Sequence, residues 1–328
     1  MASSSGKLSL SVVTCTYSRS RTAQLEKLLH ALRSQAVRAH EVIVVVDHNP
    51  DLLAELRERV PGTLITANVY EPGLSGGRNT GLERAAGDVV VFIDDDAIPE
   101  PDWLERLAAA YEDPSVIGAG GEVEPAWDGP VPGWFPPEFG WVVGCGYAGL
   151  PQELAEVRNF IGCNMSFRRV DAADAGGFRV DLGRIGLAPV GCEETEFCIR
   201  LMRDIPGRRL LFDPAARVRH FVPRERMTWA YFRARCYSEG RSKARVARLA
   251  GASSALSSER SYVARTLASA VAANLARSMR GDGIAALRAG AIVAGLALTT
   301  AGYAFGRWEL AIGRERLGVT LREPVHQP

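Results

Sequence analysis

The chain has 328 residues, 47% hydrophobic and 23% charged, with a net charge of +1. That balance is ordinary for a globular protein and leaves room for one large domain or two modest ones. The near-neutral field speaks against nucleic acid as a partner, and six scattered cysteines without a CxxC pair or zinc-finger spacing read as reduced, mostly buried thiols.

Met1 to Lys7 is short and polar and lacks the apolar run of a secretion signal. With the unpaired thiols this points to the cytoplasm. Leu8 to Thr14 (LSLSVVT) predicts a first strand, and Leu25, Leu28, Leu29 and Leu32 predict a helix over Thr22 to Gln35. Glu41 to Val46 (EVIVVV) is continuously apolar up to Asp47, as in a parallel strand covered on both faces. A helix over Leu52 to Val60, a strand over Thr63 to Val69 and a helix over Gly76 to Ala86, beginning near Asn79, come next. Asp88 to Ile93 (DVVVFI) is another apolar strand and runs straight into Asp94, Asp95 and Asp96. Asp102 to Glu112 closes the series as a helix. This alternation predicts a doubly wound, mostly parallel α/β sheet. Ligands bind such sheets beyond the carboxyl ends of the strands. Thr14 to Thr16, Asp47 and Asp94 to Asp96 all fall at such ends.

Glu122 to Pro151 changes character, with Trp127, Trp134 and Trp141 among many Gly and Pro residues. It reads as an ordered loop or short β-ribbon, its tryptophans either stacking on an acceptor or anchoring the loop. A strand over Val157 to Phe167, a short helix over Asp171 to Gly177 and a helix over Cys192 to Arg203 are expected. Leu210 to Val218 contains a short strand that closes at His220. Beyond Thr228 the chain reads as all-helical, which divides it into a catalytic domain, residues 1–225, and a helical extension, residues 226–328. Ala289 to Gly306 carries no charge between Arg288 and Arg307. Its length touches the lower limit of a membrane span, while its Ala, Gly and Thr content suits a packed or interfacial helix.

Asp94 and Asp96 are two residues apart, so on an extended strand end they share a face and Asp95 points the other way. Adjacent carboxylates repel one another and call for compensation. A divalent cation that prefers oxygen ligands, Mg²⁺ or Mn²⁺, supplies it. The plainer alternative is a solvated acidic turn ahead of the helix that starts near Pro99-Glu100-Pro101.

Five segments resemble, in order, the inverting family 2 glycosyltransferases of the GT-A fold: VVTCTYSR (Val12 to Arg19), VVVDHN (Val44 to Asn49), GLSGGRNTG (Gly73 to Gly81), VFIDDDAIPEPDWL (Val91 to Leu104) and GCEETEFCIRL (Gly191 to Leu201). The resemblance runs from about Ser9 to Ala244. It implies a Rossmann-like sheet and a metal-dependent transfer of a sugar from a UDP- or GDP-type nucleotide-diphosphate sugar to an acceptor hydroxyl. It further implies that Thr14, Thr16 and Tyr17, with Arg19 in the same motif, line the base and ribose pocket, and that Asp47 contacts the base. Cys15 and His48 depart from the residues usual beside them. Arg78 and Asn79 would lie near the phosphates and ribose, together with Asp94 and Asp95. Asp96, Asp94 and His220 would hold the metal, with Asp96 as the direct ligand. Glu193 and Glu194 match the acceptor-side motif, and an inverting transfer needs one base on the acceptor hydroxyl. Glu194 falls where the family's base falls, although the family more often has Asp there, so which of the pair acts stays open.

Glu196 and Arg200, at i and i+4, read instead as a helix-surface pair. Arg224, Arg226, Arg233, Arg235, Arg241 and Lys243 either flank the diphosphate or form a solvated or lipid-facing basic face. A nucleotidyltransferase would want glycines directly after the first strand, and a dinucleotide-binding oxidoreductase would want GxGxxG there. Neither is present. A non-catalytic sugar-binding homologue would not need Glu194 or the aspartates. The sequence does not name the acceptor: the C-terminal helices and the apolar stretch between Arg288 and Arg307 lean toward a lipid-linked glycan at the inner face of the cell membrane, as in cell-surface polysaccharide assembly, and a small natural-product aglycone is the rival.

Overall fold

The computed structural model describes residues 8–183, 191–251 and 257–313. Met1 to Lys7 lies outside them. Parallel strands β3 (Leu64–Ala67), β2 (Glu41–Val46), β1 (Leu10–Thr16) and β4 (Val89–Ile93) stand side by side in that order. The sheet continues through β8 (Asn164–Arg168), β6 (Val116–Trp127), β9 (Arg209–Val222) and β5 (Ala97–Pro99), and β7 (Ala155–Glu156) pairs with β9. β8 runs antiparallel to both β4 and β6, while β6 and β9 are parallel. The sheet is therefore parallel at one end and mixed at the other.

The apolar strands fill both faces. Val12, Val44, Val46 and Val91 join a core with α1 (Thr22–Arg33), α2 (Pro50–Arg59) and α4 (Trp103–Ala110). Their neighbours Val13, Val45, Val90 and Phe92 join a second core with α3 (Leu74–Arg84) and α6 (Glu193–Asp204). This two-faced burial is why β2 and β4 read as unbroken apolar runs. The short helix α5 (Arg169–Asp174) follows β8.

Several expected elements are displaced. α3 starts at Leu74 rather than near Asn79, because Ser75 to Leu82 are all buried and the segment carries no amphipathic signal. The anticipated loop from Glu122 opens instead as the end of the 12-residue strand β6. The expected short strand before His220 is the 14-residue β9, and β8 begins at Asn164 rather than Val157.

α7 (Trp229–Ala250) carries the chain away from the sheet. A short helix (Ser257–Ser261) and a π-helical stretch (Tyr262–Leu267) lead into α8 (Ala268–Met279) and the long α9 (Gly283–Ala311). α7 and α9 cross at Gly240 and Gly302. A Cβ on Gly240 would lie 2.0 Å from the Thr299 carbonyl oxygen, and one on Gly302 2.0 Å from that of Tyr237. Phe232 of α7 and Ile292 of α9 also join the core that holds β1 and α1. The helical extension thus shares its core with the sheet, so the proposed boundary at residue 225 does not separate two cores.

Candidate active site

β4 delivers Asp94 to the carboxyl edge of the sheet, where the chain turns at once. The Ala97 amide donates to the Asp94 carbonyl at 3.1 Å. In this turn the pleat's alternation is lost, which corrects the expectation that Asp95 faces away from Asp96. Both take Arg21, whose Nη1 lies 2.5 Å from Asp95 Oδ1 and 2.9 Å from Asp96 Oδ2. Asp94 faces the cavity, 3.6 Å from the Arg78 guanidinium.

His220 arrives from β9, which pairs it with Ala97 of β5. Its Nε2 lies 3.2 Å from Asp96 Oδ1. Burial would push this imidazole down, but the Asp96 carboxylate outweighs it and holds His220 up to about 10. Burial would likewise raise Asp96, yet His220 and then Arg21 hold it well below the usual carboxylate range. Asp95 Oδ2 is buried and accepts no hydrogen bond, and Asp96 Oδ1 faces only the His220 ring. Orphaned carboxylate oxygens are costly. Beside Asp94 and His220 they suit a divalent cation, so the residues present fit one.

The nucleotide end of the cavity is lined by Thr16, Tyr17, Asp47 and His48. Asp47 is engaged by the protein itself: Asn68 Nδ2 donates to Oδ1 at 2.6 Å and the Gly73 amide to Oδ2 at 2.9 Å. It thereby ties the start of α3 to the end of β2. Tyr17 stands half-exposed at the mouth with the Arg21 guanidinium 5.4 Å from its ring centre. Two expected residues lie elsewhere. Thr14 is buried within β1, outside the cavity lining. Arg19 points to solvent and pairs with Glu55 of α2 at 3.0 Å. The cause is the 3₁₀ turn Arg19–Arg21, which rotates successive side chains by about a third of a circle and presents Arg21 to the aspartates instead.

Arg78 and Asn79 separate in the same way. Arg78 lines the cavity and is buried, donating to Glu193 Oε1 at 2.8 Å and to the Gly162 carbonyl at 2.9 Å. Asn79 lies outside the lining and clamps Phe178, its Nδ2 donating to the Phe178 carbonyl and its Oδ1 accepting from the Phe178 amide, at 2.7 Å each. Its role in this fold is to hold a loop.

Glu193 and Glu194 begin α6, after Cys192 in a left-handed conformation at φ 73°. Arg78 neutralises Glu193. Glu194 forms no ion pair among the described residues and accepts only a long hydrogen bond from Thr195 Oγ1 at 3.5 Å. Burial first and the Glu193 charge second push the Glu194 carboxyl up to about 8. A carboxylate raised toward neutrality, lining a cavity, is the environment of a general base.

The acceptor side also holds groups that the sequence did not suggest. The cavity encloses about 680 Å³ and reaches from Asp47 to Tyr303 of α9. Along its wall Arg158 pairs with Glu259 at 2.6 Å, Glu259 with Lys243 at 2.5 Å, and Glu239 with Arg235 at 2.8 Å. Of the basic cluster, Arg226, Arg235 and Lys243 line the cavity, Arg224 and Arg233 are exposed, and Arg241 pairs with Glu309 of α9 at 2.8 Å. Trp141 lines the cavity, whereas Trp127 and Trp134 pack against the core beside Phe135. Glu196 and Arg200 do pair, at 2.8 Å, but Glu196 is buried and Arg200 also donates to the Gly177 carbonyl, so the pair is not the surface one expected.

Residues 11–175 match the family model described as glycosyl transferase family 2. The chain is 36% identical to the glucosyl-dolichyl phosphate glucuronosyltransferase of Haloferax volcanii over 242 residues, which is 72% of this chain and 76% of that protein. The chain belongs to glycosyl transferase family 2. It is 27% identical to the succinoglycan biosynthesis protein ExoM of Rhizobium meliloti, over 73% of this chain and 75% of that one. Among solved structures, the mannosyltransferase PcManGT from Pyrobaculum calidifontis, in complex with GDP-Man and Mn²⁺, superposes with a TM-score of 0.57 at 18% identity, covering 90% of this chain and 88% of its own. At that identity the match speaks for the fold, which is GT-A. The protein is a glycosyltransferase, as the resemblance of its motifs implied.

Proposed function

We propose that this glycosyltransferase moves a sugar from a UDP- or GDP-linked donor to a hydroxyl of a lipid-linked glycan, inverting the anomeric carbon. The observation that carries the reading is the division of labour between Glu193 and Glu194. Arg78 occupies the first, which leaves the second to take a proton. Deprotonated Glu194 removes the proton from the acceptor hydroxyl as that oxygen attacks the anomeric carbon. Tyr17 and Asp47 frame the base and ribose, and Arg78 holds Glu193 in place beside the donor. A divalent cation held by Asp94, Asp96 and His220 would take up negative charge on the departing diphosphate.

Two kinds of observation support a lipid-linked acceptor. The Haloferax relative is named for a glucosyl-dolichyl phosphate substrate. In addition, α9 is 29 residues long with a mean hydropathy of 1.7 over its most apolar stretch, of which 28% is buried. Leu287, Phe305, Trp308 and Ile312 share one exposed face of it, and Met279 at the end of α8 is 84% exposed. α9 is anchored along α7 through Gly240 and Gly302, so we read it as an interfacial helix lying on the cytoplasmic side of a membrane rather than crossing it. A small soluble aglycone is the rival acceptor.

The test is to incubate the purified protein with Mn²⁺ or Mg²⁺, a panel of UDP- and GDP-sugars, and polyprenyl-phosphate-linked or soluble sugar acceptors. Nucleoside diphosphate should be released, and transfer should go to the lipid-linked acceptors. No release and no nucleotide-induced rise in Tm with any donor would sink the reading, and transfer to soluble aglycones alone would sink its acceptor half.

A further inference from the structure

Cys163 bears on the kind of ion that Asp94, Asp96 and His220 would choose. This cysteine sits just before β8, and its position in the sequence suggests nothing beyond a buried thiol. In the fold its Sγ, a carboxylate oxygen of Asp94 and a ring nitrogen of His220 all lie within 4.8 Å of one another. Ligand atoms around one ion sit about 3–4 Å apart when each bond is about 2.0–2.3 Å long, so a modest closure brings the three onto a common centre. Cys163 is 3% exposed, yet it lines the cavity wall. The sulfur is thus shielded from bulk water and open to the site.

Two further observations point to a ligand. Asp96 Oδ1, buried and 3.2 Å from His220 Nε2, offers a fourth donor. On the opposite edge of the ring, Cys145 Sγ lies 3.5 Å from His220 Nδ1. A metal-binding histidine is usually fixed in this way, with one nitrogen held by a neighbour and the other directed at the ion. The set is two carboxylates, one imidazole and one thiol. Mg²⁺ is hard, demands near-octahedral oxygen coordination and gains little from sulfur. Zn²⁺ and its spectroscopic substitute Co²⁺ accept mixed N, O and S donors in tetrahedral arrangement.

Resting on the cation reading, we propose that Cys163 is itself a ligand in the diphosphate-side cation site, and that the site therefore holds borderline-soft divalent ions such as Zn²⁺ and Co²⁺ in preference to Mg²⁺. Binding forms one metal–thiolate bond and releases one proton from the thiol to solvent. Zn²⁺ is then expected to compete with Mn²⁺ for the site and to displace it.

The experiment is a Co²⁺ titration of the reduced full-length protein, alone and with UDP or GDP, followed by absorption and calorimetry. Wild type and Cys145→Ser should develop a near-ultraviolet sulfur-to-cobalt charge-transfer band that saturates at one equivalent. Cys163→Ser should bind without that band, and its Zn²⁺ affinity, measured against a chromophoric chelator, should fall by at least roughly tenfold. X-ray absorption of Zn²⁺-loaded wild type needs no variant and should give one Zn–S distance of about 2.3 Å. Cation binding with only nitrogen and oxygen neighbours, or a band that survives in Cys163→Ser, overturns the thiolate while leaving the cation reading intact. If neither Co²⁺ nor Mn²⁺ binds with or without nucleotide, both fall together.

Discussion

The two ends of the cavity balance their charges by different means. At the nucleotide end, Asp95 and Asp96 share the Arg21 guanidinium and Asp96 also meets the His220 ring. At the acceptor end, the buried charges pair along a chain from Arg235 through Glu239 and Lys243 to Glu259 and Arg158. Glu194 stands beside that chain without joining it. The contrast separates binding from chemistry. Paired charges at either end can fix and orient a substrate, but a group must be left unpaired and desolvated to move a proton at neutral pH.

The largest expected effect tests that separation directly. Glu194→Gln should lower kcat by roughly 10²–10⁴-fold and leave the affinity for nucleoside diphosphate unchanged in calorimetry. Near-full activity would mean that the base is another group and that the contrast is misplaced. At the nucleotide end, Asp96→Asn should cost roughly 10²–10³-fold in turnover and, unlike Glu194→Gln, should also weaken cation-dependent nucleotide binding. If the two variants lose the same property, the ends are not functionally distinct.

A pH series sharpens the comparison further. Glu194 is raised to about 8 in the fold, so between the ordinary carboxylate range and that value the folded state holds a proton that the unfolded chain has lost. Wild-type stability should therefore fall as pH rises through this window, relative to Glu194→Gln. Turnover should rise over the same window as the base becomes available. Denaturant midpoints of both proteins from pH 5 to 8 check the first statement and kcat/KM the second. Parallel stability curves would show that Glu194 is not held protonated.

How much of this was legible in the sequence follows the same division. The nucleotide end was readable because parallel strands advertise themselves as apolar runs and expose their ligands at the next residue, as at Asp47 and Asp94. Arg21 escaped because a 3₁₀ turn, not a strand end, aims it, and Arg19 nearby carried the motif. The acceptor end was readable only at Glu193 and Glu194. β6 was missed because its sequence is glycine-rich: a Cβ at Gly121 would lie 1.9 Å from the Ala216 carbonyl oxygen, a contact that only the tertiary fold creates. Arg158 and Lys243 meet on Glu259, and Arg158 reaches it across a sequence distance that no local pattern spans. His220 is intermediate, since its residue type was suggestive and its pairing with Asp96 depends on the β5–β9 register.

The helices that close the acceptor end permit a milder perturbation. Gly302→Leu drives a side chain into the Tyr237 backbone of α7 and should destabilise the protein by about 1–3 kcal/mol, seen as a fall of a few degrees in Tm. Leu296, Thr299, Thr300 and Tyr303 of α9 line the cavity, so the acceptor KM should rise. Release of nucleoside diphosphate in the absence of acceptor should persist, because Asp47, Asp94 and Asp96 follow strands of the sheet and not α9.

The smallest effect on the enzyme itself is expected on the outer face of α9. Leu287 is 60% exposed and Trp308 51% exposed, so replacing each with Glu removes little internal packing and should change stability by no more than about 0.5 kcal/mol. Transfer to a soluble acceptor analogue should also be unaffected. Cosedimentation with anionic vesicles is the property expected to move. Each substitution forfeits on the order of 1–2 kcal/mol of apolar burial in the interface and adds a charge that anionic lipid repels, so binding should weaken about tenfold or more per site. Vesicle binding that is indifferent to both substitutions would detach α9 from the membrane and leave a soluble acceptor as the better reading of this end of the cavity.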